Sequence, residues 1–563
     1  MAKIIILGSE NSLQLASELG AVLINVPNIS ENVIGEVPDF VFNNLKQELG
    51  VLIIDADNMP RKEDKLALAI GLYVRLSCPE IGANSLAPII IASDKQIKSF
   101  MHYKPYSQLL LTENVYFQNR NNILIDPVKP LDAQKYKENF LDYIHIQPGP
   151  EVGRHSIANL WGAYVLSRIT NNTEVFEGSQ YQNRIKSLYF KYVLAQHPGL
   201  LSINKSGESF EKISNTGKKI LLIDDEAKSS GWDKVIKGMF LDTTAQFDVI
   251  DEKVKDYKSM SPEAKQKIEN GGYDLFLLDL RMNGVDEEEL YDTKKFSGYD
   301  ILTKIKTINR GNQVIMFTAS NKAWNLKRLL QAGANGYYIK EAPEFGFSEK
   351  FSMANYNSLK RDIESCLENR YLKDIYSSKK EIDKCLDKQP FQAYITKQKD
   401  TSKYHQLIKD EVSACFNILN SDNTSRQYHA LLMMYKVIEY VCNVFFANDQ
   451  VIGQRFVVKY YYSANGTWHE KGDTIQNRMV EGHPKPIVDD RDLVATKNKC
   501  FNIIKYVWPD ADQSPMKGLF EIIDDLSITR NGYVHVKGTG LPVVKRSQLV
   551  SWMKAIETIM KIL

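Results

Sequence analysis

The stretch Lys218-Lys219-Ile220-Leu221-Leu222-Ile223, followed at once by Asp224, Asp225 and Glu226, decides the fold. It is an apolar run of strand length that ends on acids. Three further runs repeat the form. Tyr273-Asp274-Leu275-Phe276-Leu277-Leu278 ends on Asp279, Gln313-Val314-Ile315-Met316-Phe317 on Thr318, and Gly336-Tyr337-Tyr338-Ile339 on Lys340. Helical patterns at Ile301 to Ile308 and Ala323 to Ala332 lie between the last three runs. Buried strands alternating with amphipathic helices predict a parallel sheet with helices on both faces. In such a sheet the carboxyl ends of the strands gather on one edge, where ligands bind. That edge would carry three carboxylates, a hydroxyl and an ammonium. Clustered carboxylates repel unless a cation sits among them, and hard oxygen ligands suit Mg²⁺. Asp279 beside Mg²⁺ can attack phosphorus as a carboxylate nucleophile. Lys340 would neutralise the transferred group, and Thr318 could hydrogen-bond the product. The plainer reading is a flavodoxin-like domain with incidental acids. Five groups in the right order at four strand ends favour the site.

This stretch resembles the receiver domain of two-component response regulators. The resemblance implies that Asp224 and Asp225 are the acidic pair, Asp279 the phospho-acceptor, Thr318 the switch hydroxyl and Lys340 the partner lysine. Tyr337 takes the switch-aromatic place, and Arg281 would lend a backbone carbonyl to Mg²⁺. A histidine kinase or another phosphodonor protein is the implied partner. An acidic insert, Val285 to Lys295, and Glu341 in the usual place of a proline depart from the pattern. Neither removes a chemical group.

Towards the amino terminus the spacing repeats. Ala2 to Leu7, Val51 to Ile54 (ending on Asp55), Pro88 to Ile91 and Ile123 to Asp126 read as strands, and Ala133 to Tyr143 as an amphipathic helix. This is an expected internal repeat. Gly8 and Ser9 stand where an acidic pair would be, so Asp55 would lack metal partners. Residues 1–145 are expected to form a pseudo-receiver, with a Rossmann-like ligand sensor as the rival. Residues 146–200 read as a helical hairpin. Ile157, Leu160, Trp161, Tyr164 and Val165 keep a helical period in its first arm, and Tyr181 to Leu194 forms the second after a turn at Asn171-Asn172. His155, Ile157, Asn159, Gly162 and Ala163 resemble the H-box of sensor histidine kinases, which makes His155 a candidate relay histidine. No kinase nucleotide domain follows it. An ordinary surface histidine on a dimerising hairpin is the alternative, since the apolar stripe supports dimerisation without reaction at His155.

Beyond the receiver-like stretch (216–345), residues 346–395 read as a helical connector, with Ser358 to Ile382 as one long helix. Residues 396–563 read as all-helical with a less regular middle around Gly466, Gly472, Gly482 and Pro484. Near their end stand Arg530, Asn531 and His535. Histidine can transfer protons near neutral pH and arginine can hold a phosphate, while RNA brings its own 2′-hydroxyl nucleophile. The bland alternative is that the two side chains cap and pack a helix. With the earlier amphipathic helix Arg426 to Phe446, this segment resembles the HEPN family of helical ribonucleases. The resemblance implies metal-independent RNA cleavage by a homodimer, with Arg530, Asn531 and His535 as catalytic residues and no cofactor.

The bulk numbers fit a multidomain α/β plus all-α protein: two flavodoxin-like parallel-sheet domains joined by a hairpin, then a HEPN-like helical domain. A length of 563 residues allows three to five cores, and a net charge of +2 argues against a general polycation. Six scattered cysteines lack metal-ligand spacing and suggest reduced thiols in the cytoplasm. No run reaches the ~18 apolar residues of a membrane span, and the first residues begin as a strand rather than a signal peptide. The expected function is a ribonuclease switched by phosphorylation, and the HEPN resemblance implies a role in bacterial defence against phage. The rivals are a non-catalytic phosphate-accepting signalling protein and a ribonuclease gated by a nucleotide second messenger.

Overall fold

The computed structural model describes residues 3–60, 64–126, 128–148, 154–201, 211–283, 292–319, 323–343, 348–388, 402–421, 423–445, 460–464, 467–471, 496–497, 500, 503–504, 513–535 and 543–563. The chain forms two compact units. One comprises Met1–Lys267, Gly271–Ile301 and Val314–Glu364; the other comprises Ile268–Asn270, Leu302–Gln313 and Ser365–Leu563.

The first unit begins with β1 (Lys3–Gly8), α1 (Leu13–Glu18), β2 (Val22–Asn25), α2 (Glu36–Asn44), β3 (Leu49–Asp55), α3 (Asp64–Leu76), the single turn α4 (Cys78–Ile81), β4 (Ile89–Ala92) and β5 (Val115–Gln118). The sheet is parallel, in the order β2-β1-β3-β4-β5. Its middle strands are isoleucine-rich and buried on both faces, which is why they read as unbroken apolar runs. The edges do not. β2 and β5 are half-exposed, so the sequence reading passes over them. The fifth strand is therefore Val115–Gln118, not Ile123 to Asp126, which forms no strand. The helix expected over Ala133 to Tyr143 is also corrected. Only α5 (Tyr136–Asn139) is α-helical there, between two 3-10 turns, with Phe140 and Leu141 buried beneath.

The hairpin follows as α6 (Arg154–Ile169), α7 (Ser179–Ile185) and α8 (Leu188–Gln196). Its second arm is two helices, because the Ser187 hydroxyl caps α8 by accepting from the Phe190 N–H at 3.3 Å. The apolar stripe of α6 is not a free dimerising face. Leu160, Trp161 and Val165 are buried, and the Trp161 ring packs on Phe190 and His197.

The second sheet contains β6 (Ile220–Ile223), α9 (Ala227–Ser230), α10 (Trp232–Gly238), β7 (Phe247–Ile250), α11 (Pro262–Asn270), β8 (Leu275–Asp279), α12 (Ser297–Ile308), β9 (Val314–Thr318), α13 (Ala323–Gln331) and β10 (Gly336–Ile339). Strands run parallel in the order β10-β9-β8-β6-β7, the same winding as the first sheet. The four strands read from sequence are present; the half-exposed edge strand β7 is the one missed. Most of the acidic insert, 285–291, lies outside the described residues.

The connector is two helices, α14 (Glu349–Glu368) and α15 (Leu372–Asp387), broken by a 3-10 turn at Asn369–Tyr371. In the second unit, α15 packs with α16 (Ser402–Leu419), α17 (Arg426–Phe445), α18 (Gln513–Val534) and α19 (Arg546–Ile562) around Ile375, Phe416, Leu431, Phe520 and Trp552. The α15 residues Ile382 and Leu386 are fully buried, so this helix is core, not linker. The all-helical expectation is corrected by an antiparallel pair, β11 (Tyr460–Ala464) and β12 (Thr467–Lys471). The intervening Asn465-Gly466 is the dipeptide that favours a tight hairpin. Within 490–507, only 496–497, 500 and 503–504 are described, and these are helical, as the all-helical reading expects.

Candidate functional site

β6 and β8 are neighbours in register, Ile223 opposite Leu278, so both chains leave the sheet at the same level. Asp224 and Asp225 follow β6 and Asp279 ends β8, and their carboxylates converge. Oxygen atoms of the three lie within 4.8 Å of one another. Lys340 follows β10, and its backbone N–H donates to the Thr318 carbonyl at 2.7 Å. Its ammonium then reaches Asp224 Oδ2 at 2.7 Å and Asp279 Oδ2 at 3.0 Å. The acidic pair, the acceptor, the hydroxyl and the lysine named from sequence thus meet at one sheet edge.

All of them are buried, Asp279 and Lys340 to 2% exposure each. Burial alone would discharge Lys340, but Asp224 and Asp279 more than offset it and hold the ammonium charged. The Trp232 ring lies 5.4 Å from the same ammonium. Asp225 is different. Both its oxygens are buried without a hydrogen-bond partner. Burial, then Asp279 and Asp224, push its pKa up to about 8. A buried carboxylate in that condition fits a hard divalent cation, and three aspartate oxygens are the donors Mg²⁺ takes. Among the described residues, these three form the group that could hold a metal.

The remaining receiver-type residues are placed as follows. Thr318 ends β9 and is buried. Tyr337 is half-buried on β10, while its neighbour Tyr338 is buried on the opposite face against Trp232 and Phe317. The Arg281 guanidinium lies 5.0 Å from the Phe296 ring centroid. Glu341 is buried, accepts from the Ser352 hydroxyl at 2.7 Å, and has its pKa pushed up to about 7 by burial.

One member of the site comes from outside the second sheet. Asn159 on α6 accepts a hydrogen bond from the Lys340 ammonium at 2.9 Å and donates to Glu226 at 3.0 Å. The sequence marks Asn159 only as part of an H-box-like run; nothing in a single chain's spacing pairs it with Lys340. His155 lies in the first turn of α6, and its side chain is outside the described residues.

The matching edge of the first sheet has other chemistry. Asp55 ends β3 fully buried and accepts from Ser12 Oγ at 2.7 Å, Asn58 Nδ2 at 2.9 Å and Arg120 Nε at 3.1 Å. An arginine and two neutral donors occupy the carboxylate, and no group of three or more potential metal ligands includes it among the described residues.

In the second unit, Arg530 and Asn531 lie in the last turns of α18 and His535 just past its end. The Arg530 guanidinium sits 4.8 Å from the Tyr435 ring and donates to Asn531 Oδ1 at 3.1 Å. Tyr533 stacks on Tyr428 with centroids 4.9 Å apart. His535 is exposed, and its backbone N–H donates to the Asn531 carbonyl. Five residues turn a helix by about 500°, so Arg530 and His535 diverge by about 140° around one copy of α18. The structure brings Arg530 and Asn531 together and leaves His535 at the helix end.

Among the described residues no single helix is long and apolar enough to cross a membrane. The six cysteines are free thiols.

Residues 220–346 match the family model "Response regulator receiver domain", so the chain carries a receiver domain of the two-component response-regulator type. No curated protein matches the chain. Among solved structures it is similar to a CheY-like receiver domain protein from Methanospirillum hungatei JF-1. That match has 23% identity and a TM-score of 0.17, and covers 26% of this chain and 98% of that one. It is also similar to NtrX from Brucella abortus, with 15% identity, 37% of this chain and 40% of that chain covered, and a TM-score of 0.21. A two-component system response regulator/GGDEF domain protein matches with 11% identity, 65% and 99% coverage and a TM-score of 0.18.

Proposed function

We propose that the chain is a phosphoryl-responsive regulator in which Asp279 is the acceptor and the C-terminal helical unit is the output. One observation carries the first half: Lys340 stands within 3.0 Å of both Asp224 and Asp279 while the Asp225 carboxylate beside them has no hydrogen-bond partner. Asp224, Asp225 and Asp279 would hold Mg²⁺, which supplies charge neutralisation for phosphoryl transfer. The chain's own groups do the rest. An Asp279 carboxylate oxygen forms a bond to phosphorus as the donor's P–N or P–O bond breaks. The donor, a phosphohistidine of a kinase or a small acyl phosphate, leaves as imidazole or carboxylate. The Lys340 ammonium, already beside Asp279, offsets the charge that arrives, and Thr318 at the end of β9 offers its hydroxyl. The test is incubation of the protein with acetyl phosphate and Mg²⁺. Wild type gains one acid-stable, base-labile phosphoryl group and Asp279→Asn gains none; labelling of both removes Asp279 from the role.

The output we propose is cleavage of single-stranded RNA by a second unit of HEPN type, with Arg530 holding phosphate, Asn531 orienting it and His535 moving the proton. An exposed His535 about one turn beyond the paired Arg530 and Asn531 supports this reading. The divergence of Arg530 and His535 on one helix makes a two-copy cleft the natural arrangement, so the reading includes a homodimer. Wild type should cut RNA without metal and His535→Ala should not; equal cleavage by both ends the catalytic reading. A partner-binding output without catalysis has its own observation: Arg530 is already engaged by Tyr435 and Asn531 within one chain. It predicts no cleavage by either protein.

A further inference from the structure

The acceptor carboxylate must be reached in line by a phosphorus atom, yet Asp224, Asp279, Lys340 and Asn159 are each no more than 2% exposed. The cover is α6. Its Asn159 amide bridges two receiver side chains, taking a hydrogen bond from Lys340 at 2.9 Å and giving one to Glu226 at 3.0 Å. One helical turn further on, Gly162 brings the α6 backbone against the receiver. A Cβ there would meet the Glu341 carbonyl oxygen and the Trp232 ring, each at 3.1 Å. α7 straps the start of α6 down. Arg184 donates to the Ser156 carbonyl at 2.6 Å and its hydroxyl at 2.7 Å, and to the Ser229 carbonyl on α9 at 3.0 Å. Tyr181 donates to the Lys228 carbonyl at 3.0 Å. These contacts lie within one compact unit.

We propose that α6 is an intramolecular lid on the acceptor pocket, latched by Asn159 between Lys340 and Glu226, and that phosphorylation of Asp279 and docking of α6 oppose each other. This rests on Asp279 being the acceptor. The closed form has the Asn159 carbonyl oxygen where Lys340 faces it. A phosphoryl group on Asp279 draws the same ammonium towards its own oxygens and sets a negative group near that carbonyl. The latch loses its donor. By linkage, a helix that docks less well on the phosphorylated form disfavours that form at equilibrium; by shielding the carboxylate from an in-line donor, the docked helix also slows its formation. The lid also gives the hairpin a purpose that does not require His155 to react.

The test is the initial rate of labelling of the full chain by acetyl phosphate and Mg²⁺, in wild type, Asn159→Ala, Gly162→Leu and Asp279→Asn. The latch includes a hydrogen bond to a charged group, so Asn159→Ala is expected to label about tenfold faster or more. Gly162→Leu leaves every polar group of the site in place and pries α6 off by bulk; it should label faster as well. In wild type, but not Asp279→Asn, the phosphodonor should raise amide hydrogen exchange across 154–169. Labelling of wild type with no acceleration in either α6 variant overturns the lid while leaving the acceptor standing. Slower labelling in Asn159→Ala, with Gly162→Leu unchanged, assigns Asn159 to positioning Lys340 and also overturns the lid. No labelling of any variant overturns acceptor and lid together.

Discussion

Replacing Lys340 with methionine isolates the electrostatics of the acceptor site. The side chain is nearly the same length, so packing against Trp232 survives while the ammonium goes. Two buried contacts are lost, at 2.7 Å to Asp224 and 3.0 Å to Asp279. Asp224 and Asp279 then share a buried pocket with Asp225 and no fixed cation. Removing one partner of a buried ion pair costs about 3–5 kcal/mol, most of it from the charge left behind. At ~2 °C per kcal/mol for a large domain, the first unit should melt about 6–10 °C lower without metal at pH 8. The loss should shrink on acidification. Without the ammonium, which pulls the Asp225 pKa down, that already raised carboxyl sits further above its unfolded value; it binds more protons folded than unfolded, and stability falls as pH rises. Mg²⁺ should stabilise Lys340→Met more than wild type, because it supplies the missing charge to the folded form alone. Calorimetry across pH, with and without Mg²⁺, gives all three numbers. A melting point within about 2 °C of wild type, a change of about 1 kcal/mol or less, unmoved by pH and Mg²⁺, would refute this electrostatic account.

Two other substitutions probe the same edge. Asp225→Asn removes a carboxylate whose folded pKa is pushed up to about 8, so its burden on the folded state grows from about pH 4 to pH 8. The variant should gain up to ~5 kcal/mol over wild type above pH 8 without metal, and lose the Mg²⁺-dependent shift in melting. Glu341, with a folded pKa of about 7, binds more protons folded than unfolded between about pH 4.5 and 7. Wild-type stability should therefore fall across that window, and Glu341→Gln should remove up to ~3 kcal/mol of the fall; parallel pH profiles for the two proteins would count against it.

What could be read from one sequence follows burial. β6, β8, β9 and β10 bury both faces or end on an acid, a hydroxyl or a lysine, and each was legible. β2, β5 and β7 are half-exposed edges whose residues alternate weakly, and each was missed. Asp224, Asp225, Asp279, Thr318 and Lys340 were found because strand ends converge by topology alone. Asn159 was not, because its partners are 67 and 181 residues away and meet it only through the docking of a helix. The α6 stripe was read correctly as apolar and wrongly as a dimer face: periodicity reports that Leu160 and Trp161 are covered, not by what. Asp55 shows the converse. Gly8 and Ser9 mark the want of an acidic pair in the sequence, but Arg120, which reaches the carboxylate, lies 65 residues on and carries no local signal.

The account stands most directly on where a phosphoryl group goes. Intact-mass measurement of the full chain after acetyl phosphate and Mg²⁺, followed by peptide mapping, should find one added phosphoryl group, on the peptide holding Asp279, and none in Asp279→Asn or after removal of Mg²⁺. A chain that stays unmodified when α6 has been displaced by Gly162→Leu, or that is modified elsewhere, contradicts it.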